Sequence, residues 1–110
     1  MEITRYNIEE IDSIIIKDNQ ARSKRELVKR CIKEKISLKR AILPSVDLKG
    51  IDFEKLDLSN AYLNGCDIRD SNLSNANIKG ISLKRCHICN TIIDINQAKD
   101  ILEGLGFIIK

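Results

Sequence analysis

Two cysteines that flank a histidine are the first candidates for chemistry in this 110-residue chain, in the stretch CHIC from Cys86 to Cys89. Two thiols at this spacing can bind zinc or exchange a disulfide, and the imidazole of His87 offers a further ligand. His87 also follows Asp67 by twenty residues. A carboxylate beside an imidazole is a pairing that general-base catalysis uses. The elements that carry these side chains decide whether they meet.

The surrounding sequence repeats every five residues. Residues 36 to 95 divide into twelve pentapeptides, which read ISLKR, AILPS, VDLKG, IDFEK, LDLSN, AYLNG, CDIRD, SNLSN, ANIKG, ISLKR, CHICN and TIIDI. The third place is Leu, Ile or Phe throughout, the first place is small or aliphatic, and the last two places are almost entirely polar, Gly or Pro. This pattern predicts a very short strand followed by a turn in every repeat.

The turn residues support the same reading. If the central residue opens a four-residue turn, the fifth place is where a type II turn needs positive φ. That place holds Gly, Asn or Asp in seven of the twelve repeats. Pro44 occupies the second turn position, where its fixed φ is favourable. A chain that makes a strand and a corner every five residues must coil into a solenoid.

The tandem pattern, with VDLKG, AYLNG and ANIKG as its closest copies, resembles the pentapeptide repeat proteins over 60 of the 110 residues. The resemblance implies an all-β solenoid, a right-handed quadrilateral β-helix with four pentapeptides per coil. It implies about three coils, covering residues 36–55, 56–75 and 76–95. The sequence departs from the family at the second place of the repeat, which is usually polar there: this place holds Ile42, Tyr62 and Ile92, and also His87.

The segments outside the repeats are expected to close the two ends of a single domain, 1–110. Residues 22–35 have the pattern of an amphipathic helix, and Ser23 with Glu26 fits a capping box. Residues 1–20 are compatible with a helix or with a strand, and a short strand or hairpin is preferred. Residues 1–35 are predicted to form an N-terminal, helix-containing cap. Residues 96–110 are predicted to form a C-terminal capping helix, with Asn96 as its N-cap.

The repeat register separates the candidate chemical groups. Cys86 is a first-place residue that should point inward beneath Cys66, whereas Cys89 is a fourth-place residue at an outer corner. His87 should lie on an exposed column with Asp67, on a flat wall without a pocket. We therefore predict no catalytic residue, no metal site and no cofactor, and hence no enzymatic activity.

The same register predicts the core and the exposed apolar residues. The twelve central residues should fill the interior: Leu38, Leu43, Leu48, Phe53, Leu58, Leu63, Ile68, Leu73, Ile78, Leu83, Ile88 and Ile93. Ile42 and Tyr62 should be neighbours on one wall, where they either seat the N-terminal segment or meet a partner. Phe107, Ile108 and Ile109 either fold across the core or form an apolar patch.

Charge limits the functions that the repeats can perform. Residues 36–95 contain eight Lys or Arg against seven Asp or Glu, and the whole chain has a net charge of +3. Some pentapeptide repeat proteins act on type II topoisomerases by imitating DNA, which requires strong negative charge. That mimicry is disfavoured here, and no gyrase inhibition is expected. Weak nucleic-acid binding through the Lys and Arg residues at the corners is a further alternative, also disfavoured because aspartates lie beside them.

The remaining hypothesis is a non-enzymatic scaffold that binds another protein, whose identity the sequence leaves unknown. A homodimer through the C-terminal cap is expected, because two apolar tails related by a two-fold axis would bury each other. The N-terminus does not resemble a signal peptide, and no apolar run approaches 18 residues, so a cytoplasmic location without membrane contact is predicted. The four cysteines are accordingly expected to be free thiols.

Overall fold

The corners of the solenoid recur at the fifth position of each repeat. The structure is a computed structural model that describes residues 2–6, 13–17 and 20–110. Every fifth residue from Arg40 to Asn90 has a positive φ, between 57° and 76°. The amide three residues after a central residue donates to its carbonyl in most repeats, as from Ala61 to Leu58 at 3.0 Å. Arg40, Ser45, Lys55 and Arg85 adopt this left-handed conformation although none of them is Gly, Asn or Asp.

The chain returns to the same wall after twenty residues. Among the described residues, isolated parallel bridges join second-place residues in four columns: Ile42 to Tyr62 to Ser82, Asp47 to Asp67 to His87, Asp52 to Asn72 to Ile92, and Asp57 to Asn77. Backbone hydrogen bonds reinforce each step, as from the Leu63 amide to the Ser82 carbonyl at 2.9 Å. The repeats therefore form a β-helical solenoid in which each strand is reduced to a few residues.

The interior of this solenoid contains the middle residue of the repeat and the first residue beside it. Ten of the twelve central residues, from Leu38 to Leu83, are buried. First-place residues such as Ala41, Val46 and Cys66 are buried with them. Ser71 is also buried, and its hydroxyl donates to the Ile68 carbonyl at 2.7 Å.

Two strands and a helix cover the first coil. Strands β1 (Glu2–Tyr6) and β2 (Ser13–Lys17) pair antiparallel, and β1 also pairs antiparallel with β3 (Ala41–Ile42). Helix α1 (Lys24–Lys33) begins after Ser23, whose hydroxyl accepts from the Glu26 amide. Ile3 of β1 and Leu27, Val28 and Cys31 of α1 belong to the same buried cluster as the central residues. These segments thus exclude water from one end of the core.

A short helical segment follows the last repeat. A 3-10 helix (Ile95–Gln97) continues into α2 (Ala98–Gly104). Asp94, and not Asn96 as predicted, is the N-cap, because its carboxylate accepts from the Asn96 amide while the Gln97 side chain accepts from the Asp94 amide. Within the described residues, neither helix has the length and apolar composition needed to cross a bilayer.

Helix α2 covers only part of the last coil. The Gly104 carbonyl accepts from the Leu83 amide at 2.8 Å, and the Gln97 side chain donates to the carbonyls of Leu73 and Ala76. Ile88 and Ile93, on the two repeats that follow, remain 45% and 39% exposed. The prediction that all twelve central residues lie in the core is wrong for these two, because no further coil packs beneath them and α2 is too short to replace it.

Candidate interaction surfaces

The two cysteines of the CHIC stretch face different environments. Cys86 is half-buried and its thiol donates to the Leu63 carbonyl at 3.0 Å, whereas Cys89 is exposed. Burial raises the pKa of the Cys86 thiol, which keeps it protonated and weakens it as a metal ligand or nucleophile. In the part of the chain that the structure describes, no three His, Cys, Asp or Glu side chains are grouped to hold a metal ion.

The Asp67 carboxylate is bound to an arginine and does not assist the histidine. The Arg69 guanidinium donates to both of its oxygens, from Nε at 2.9 Å and from the terminal nitrogen at 2.6 Å. These hydrogen bonds hold the pKa of the Asp67 carboxyl well below its usual range. His87 lies beside Asp67 in the ladder, on the exposed surface. A carboxylate committed to arginine is a poor general base, so this corner is a surface ion pair.

An open groove of about 530 Å³ lies between the end of α1 and the first coil, lined by Lys35, Ile36, Ser37, Leu38, Glu54, Lys55, Leu56 and Asp57. Burial alone would raise the pKa of Asp57, but hydrogen bonds from the Ser59 hydroxyl and amide, together with Lys39 and Arg40, outweigh it and lower the pKa. Asp57 is therefore ionised at neutral pH. A permanently ionised carboxylate cannot act as a general acid there.

The wall that contains Ile42 and Tyr62 is partly occupied by the chain itself. Thr4 of β1 pairs with Ile42, and Tyr62 follows on the other side of Ile42. Ile42 is half-buried as a result, while Tyr62 remains 41% exposed. The wall was expected either to seat the N-terminal segment or to meet a partner. For Ile42, the strand pairing with Thr4 corresponds to the first alternative.

The surface at the C-terminal end is unusually apolar. Eight of the nine exposed large apolar side chains among the described residues fall between residues 88 and 109: Ile88, Ile92, Ile93, Ile95, Leu102, Phe107, Ile108 and Ile109. We call these eight residues the apolar end. Ile108 is the most exposed of the tail, at 86%. The structure thus places Phe107, Ile108 and Ile109 on the surface, at the end of the chain opposite the β1 and α1 cover.

Sequence reasoning missed five members of the apolar end, namely Ile88, Ile92, Ile93, Ile95 and Leu102. The twenty-residue period held the signal for Ile88 and Ile93, because positions twenty residues further on lie beyond the repeats, which end at residue 95. Ile92 was detectable as an apolar residue at the outward second place. Nothing in the pattern distinguished Leu102 from the buried face of α2.

The described repeats combine short strands with left-handed corners every five residues. This architecture defines a class of solenoid repeat proteins, whose flat walls are exposed to solvent. Residues 52–88 match the family model of pentapeptide repeats, with 8 copies. The match confirms the resemblance to pentapeptide repeats for residues 52–88. A comparison with curated proteins finds no match. Proteins of this repeat family are generally scaffolds rather than enzymes.

Proposed function

We propose that this protein is a non-enzymatic scaffold that binds another protein through its apolar end, and that a second copy of the chain is one such partner. The observation that carries the proposal is the concentration of eight exposed large apolar side chains within residues 88–109. Exposed apolar clusters of this kind mark interaction sites in proteins that remain dispersed in water.

The proposal also covers the finer architecture. Residues 36–95 are assigned to a right-handed quadrilateral β-helix of about three coils, capped by residues 1–35 and 96–110 in one domain. The four columns of bridges and the twenty-residue step support this assignment. A regular solenoid of this length has two different ends, one covered by β1 and α1 and the other only partly covered by α2.

The backbone at the apolar end favours a protein partner over a small ligand. The central amides of earlier repeats donate to the next coil, as Leu63 does to Ser82. Among the described residues, the amides of Ile88 and Ile93 have no such acceptor. Unpaired strand edges beside apolar side chains are templates for another polypeptide. A two-fold axis through this end would bury two identical edges and apolar tails against each other.

Sedimentation velocity across the micromolar range tests this proposal. We expect the full chain, kept reduced, to sediment as a dimer, and the double variant Phe107→Asp and Ile108→Asp to sediment as a folded monomer. The matched control is Tyr62→Asp, which replaces an exposed apolar residue away from the apolar end and should remain dimeric. A wild-type monomer at high micromolar concentration would rule out the dimer. A dimer that survives truncation after Leu105 would move the interface away from the tail.

A further inference from the structure

The charge of the chain is concentrated in one segment. Residues 20–40 contain nine Lys or Arg against two Asp or Glu, a net charge of +7. Residues 1–19 have a net charge of −3 and residues 41–110 a net charge of −1, so the modest total of +3 conceals this segment. The segment includes α1 and the first repeat, which means that most of its positive charge lies on one helix at one end of the solenoid.

Helix α1 presents these charges to solvent. Its apolar face, Leu27, Val28 and Cys31, is buried in the core. The exposed cations of α1 and of the residues that flank it are Arg22, Lys29, Arg30, Lys33 and Lys35, which we call the basic face. Lys29 and Lys33 are four residues apart and therefore lie on the same side of the helix.

Acidic residues compensate part of this charge: outside the segment, Asp47 pairs with Arg25 at 3.4 Å and Asp57 lies near Lys39 and Arg40. Glu34 pairs with Arg30 at 3.1 Å. Glu26 accepts a hydrogen bond from the Arg22 amide at 2.8 Å. Within the described part of the chain, Lys29, Lys33 and Lys35 form no ion pair. A surface with two uncompensated lysines on consecutive turns of a helix, and a third just beyond its end, attracts a polyanion.

We propose that the basic face binds the phosphate backbone of a nucleic-acid duplex. Helix α1 has ten residues, and a helix of that size is about 15 Å long. A duplex carries one phosphate charge per roughly 1.7 Å of its axis, so about nine phosphates span the same length. Lysines contact phosphates as point charges, which gives binding that does not depend on base sequence.

Two other polyanions fit the surface less well. A helix that binds an anionic membrane needs an exposed apolar face to insert, whereas the apolar face of α1 is buried and no exposed large apolar side chain occurs among the described residues between 20 and 61. Single-stranded nucleic acid is bound by stacking on aromatic side chains, and residues 20–52 contain none. The basic face also differs from the repeat corners, where Arg69 is bound to Asp67.

Fluorescence anisotropy with labelled duplexes of about 20 base pairs tests the proposal. The protein is titrated into duplex DNA and duplex RNA at several salt concentrations. Comparison of the two affinities shows which backbone the protein binds. The variant combines Lys29→Gln, Lys33→Gln and Lys35→Gln. Its matched control combines Lys79→Gln, Lys84→Gln and Lys110→Gln, which lowers the net charge equally at exposed positions elsewhere.

We expect the wild type and the control to bind a duplex with affinities within about twofold of each other. The variant of the basic face should lose about tenfold or more at low salt, and its salt dependence should be shallower by about three in log–log slope. Absence of duplex binding by the wild type would overturn the proposal. So would an equal loss in both triple variants, which would indicate net charge alone, or tighter binding to anionic phospholipid vesicles than to either duplex.

Discussion

At the scale of single residues, Cys66 links two coils. Its thiol donates to the Leu43 carbonyl at 2.8 Å and accepts from the Val46 amide at 3.4 Å, one coil earlier in the solenoid. In most other repeats the corresponding amide donates to the central carbonyl of its own turn, so the thiol replaces the hydrogen bond of the turn that contains Pro44. The small, buried cysteine therefore has a hydrogen-bonding role in addition to packing.

We expect Cys66→Ala to destabilise the protein by about 1–3 kcal/mol, because it leaves a buried carbonyl and a buried amide without their partner. Cys66→Ser, which keeps a donor and an acceptor, should recover part of the loss. Urea unfolding followed by circular dichroism measures both. The control is Cys89→Ala, since Cys89 is exposed. Equal stability of Cys66→Ala and Cys89→Ala would show that the hydrogen bonds of the Cys66 thiol do not stabilise the protein.

Stability should also depend on pH through the same residue. Burial raises the pKa of Cys66 from about 9 to about 11. Below pH 9 the thiol is protonated in both states and its contribution to stability is complete. Between about pH 9 and 11 the unfolded chain loses this proton more readily than the folded one, so the contribution falls as pH rises. The urea midpoint of the wild type should therefore decline more steeply across this window than that of Cys66→Ser. Parallel declines would contradict the assignment.

Residue types predicted the corners that contain Gly, Asn or Asp, but not the corners that contain other residues. Gly, Asn and Asp at the fifth place identified positions that need positive φ, and their recurrence defined the register. The same conformation at Arg40, Ser45, Lys55 and Arg85 could be predicted only from the five-residue spacing of the corners. At Arg40 and Ser45, amides that donate to the Ser59 and Asn64 carbonyls of the next coil at 2.9 Å offset part of the roughly 1–2 kcal/mol that the left-handed region costs a residue with a Cβ atom. The hydrogen bonds of Cys66 could not be predicted, because they depend on the local shape of the Pro44 turn.

At the scale of elements, the two ends of the solenoid are closed by different means. The first coil is covered by a β-sheet that extends one wall and by an amphipathic helix, whose apolar pattern was readable in the sequence. The last coil is met by α2 through backbone atoms of Gly104, while the buried Gln97 side chain of the preceding 3-10 helix donates to the Leu73 and Ala76 carbonyls. Gln97 was not predicted, since a polar residue in a short helix gives no sign that it reaches the carbonyls of another repeat.

Gly104→Ala should destabilise the protein although alanine favours helices by about 1 kcal/mol over glycine. A Cβ atom at this position would lie 2.7 Å from the Ile81 carbonyl oxygen, so α2 would have to move away from the coil. We expect a net loss of about 1–3 kcal/mol. Thermal unfolding of Gly104→Ala beside Glu103→Ala, an exposed neighbour in the same helix, measures it. An increase in melting temperature for Gly104→Ala would show that α2 does not rest on the last coil.

At the scale of the whole molecule, the two ends differ in charge and in exposed apolar surface. Its uncompensated positive charge lies on the segment that covers the first coil, and eight of the nine exposed large apolar side chains among the described residues lie beyond residue 87. The two proposals made above assign a second copy of the chain to one end and a phosphate backbone to the other. The repeat class was predictable because every coil reuses one pattern. The exposed Ile88 and Ile93 were missed because the end of the repeats at residue 95 was read as a closed core, whereas α2 covers only part of the last coil.

The central claim is that the middle residues of the repeats from Leu38 to Leu83 point inward on a coil that returns to the same wall after twenty residues. Urea unfolding of Leu63→Asp beside Tyr62→Asp tests it most directly, since the two residues are adjacent but Leu63 is buried and Tyr62 is 41% exposed. An ionised carboxylate in place of Leu63 would lose the burial of a leucine, about 1.5–3 kcal/mol, and would also bear the larger cost of an unpaired buried charge. We expect no cooperative transition for Leu63→Asp and a nearly wild-type transition for Tyr62→Asp. A soluble Leu63→Asp protein that unfolds cooperatively near the wild-type midpoint would contradict the register.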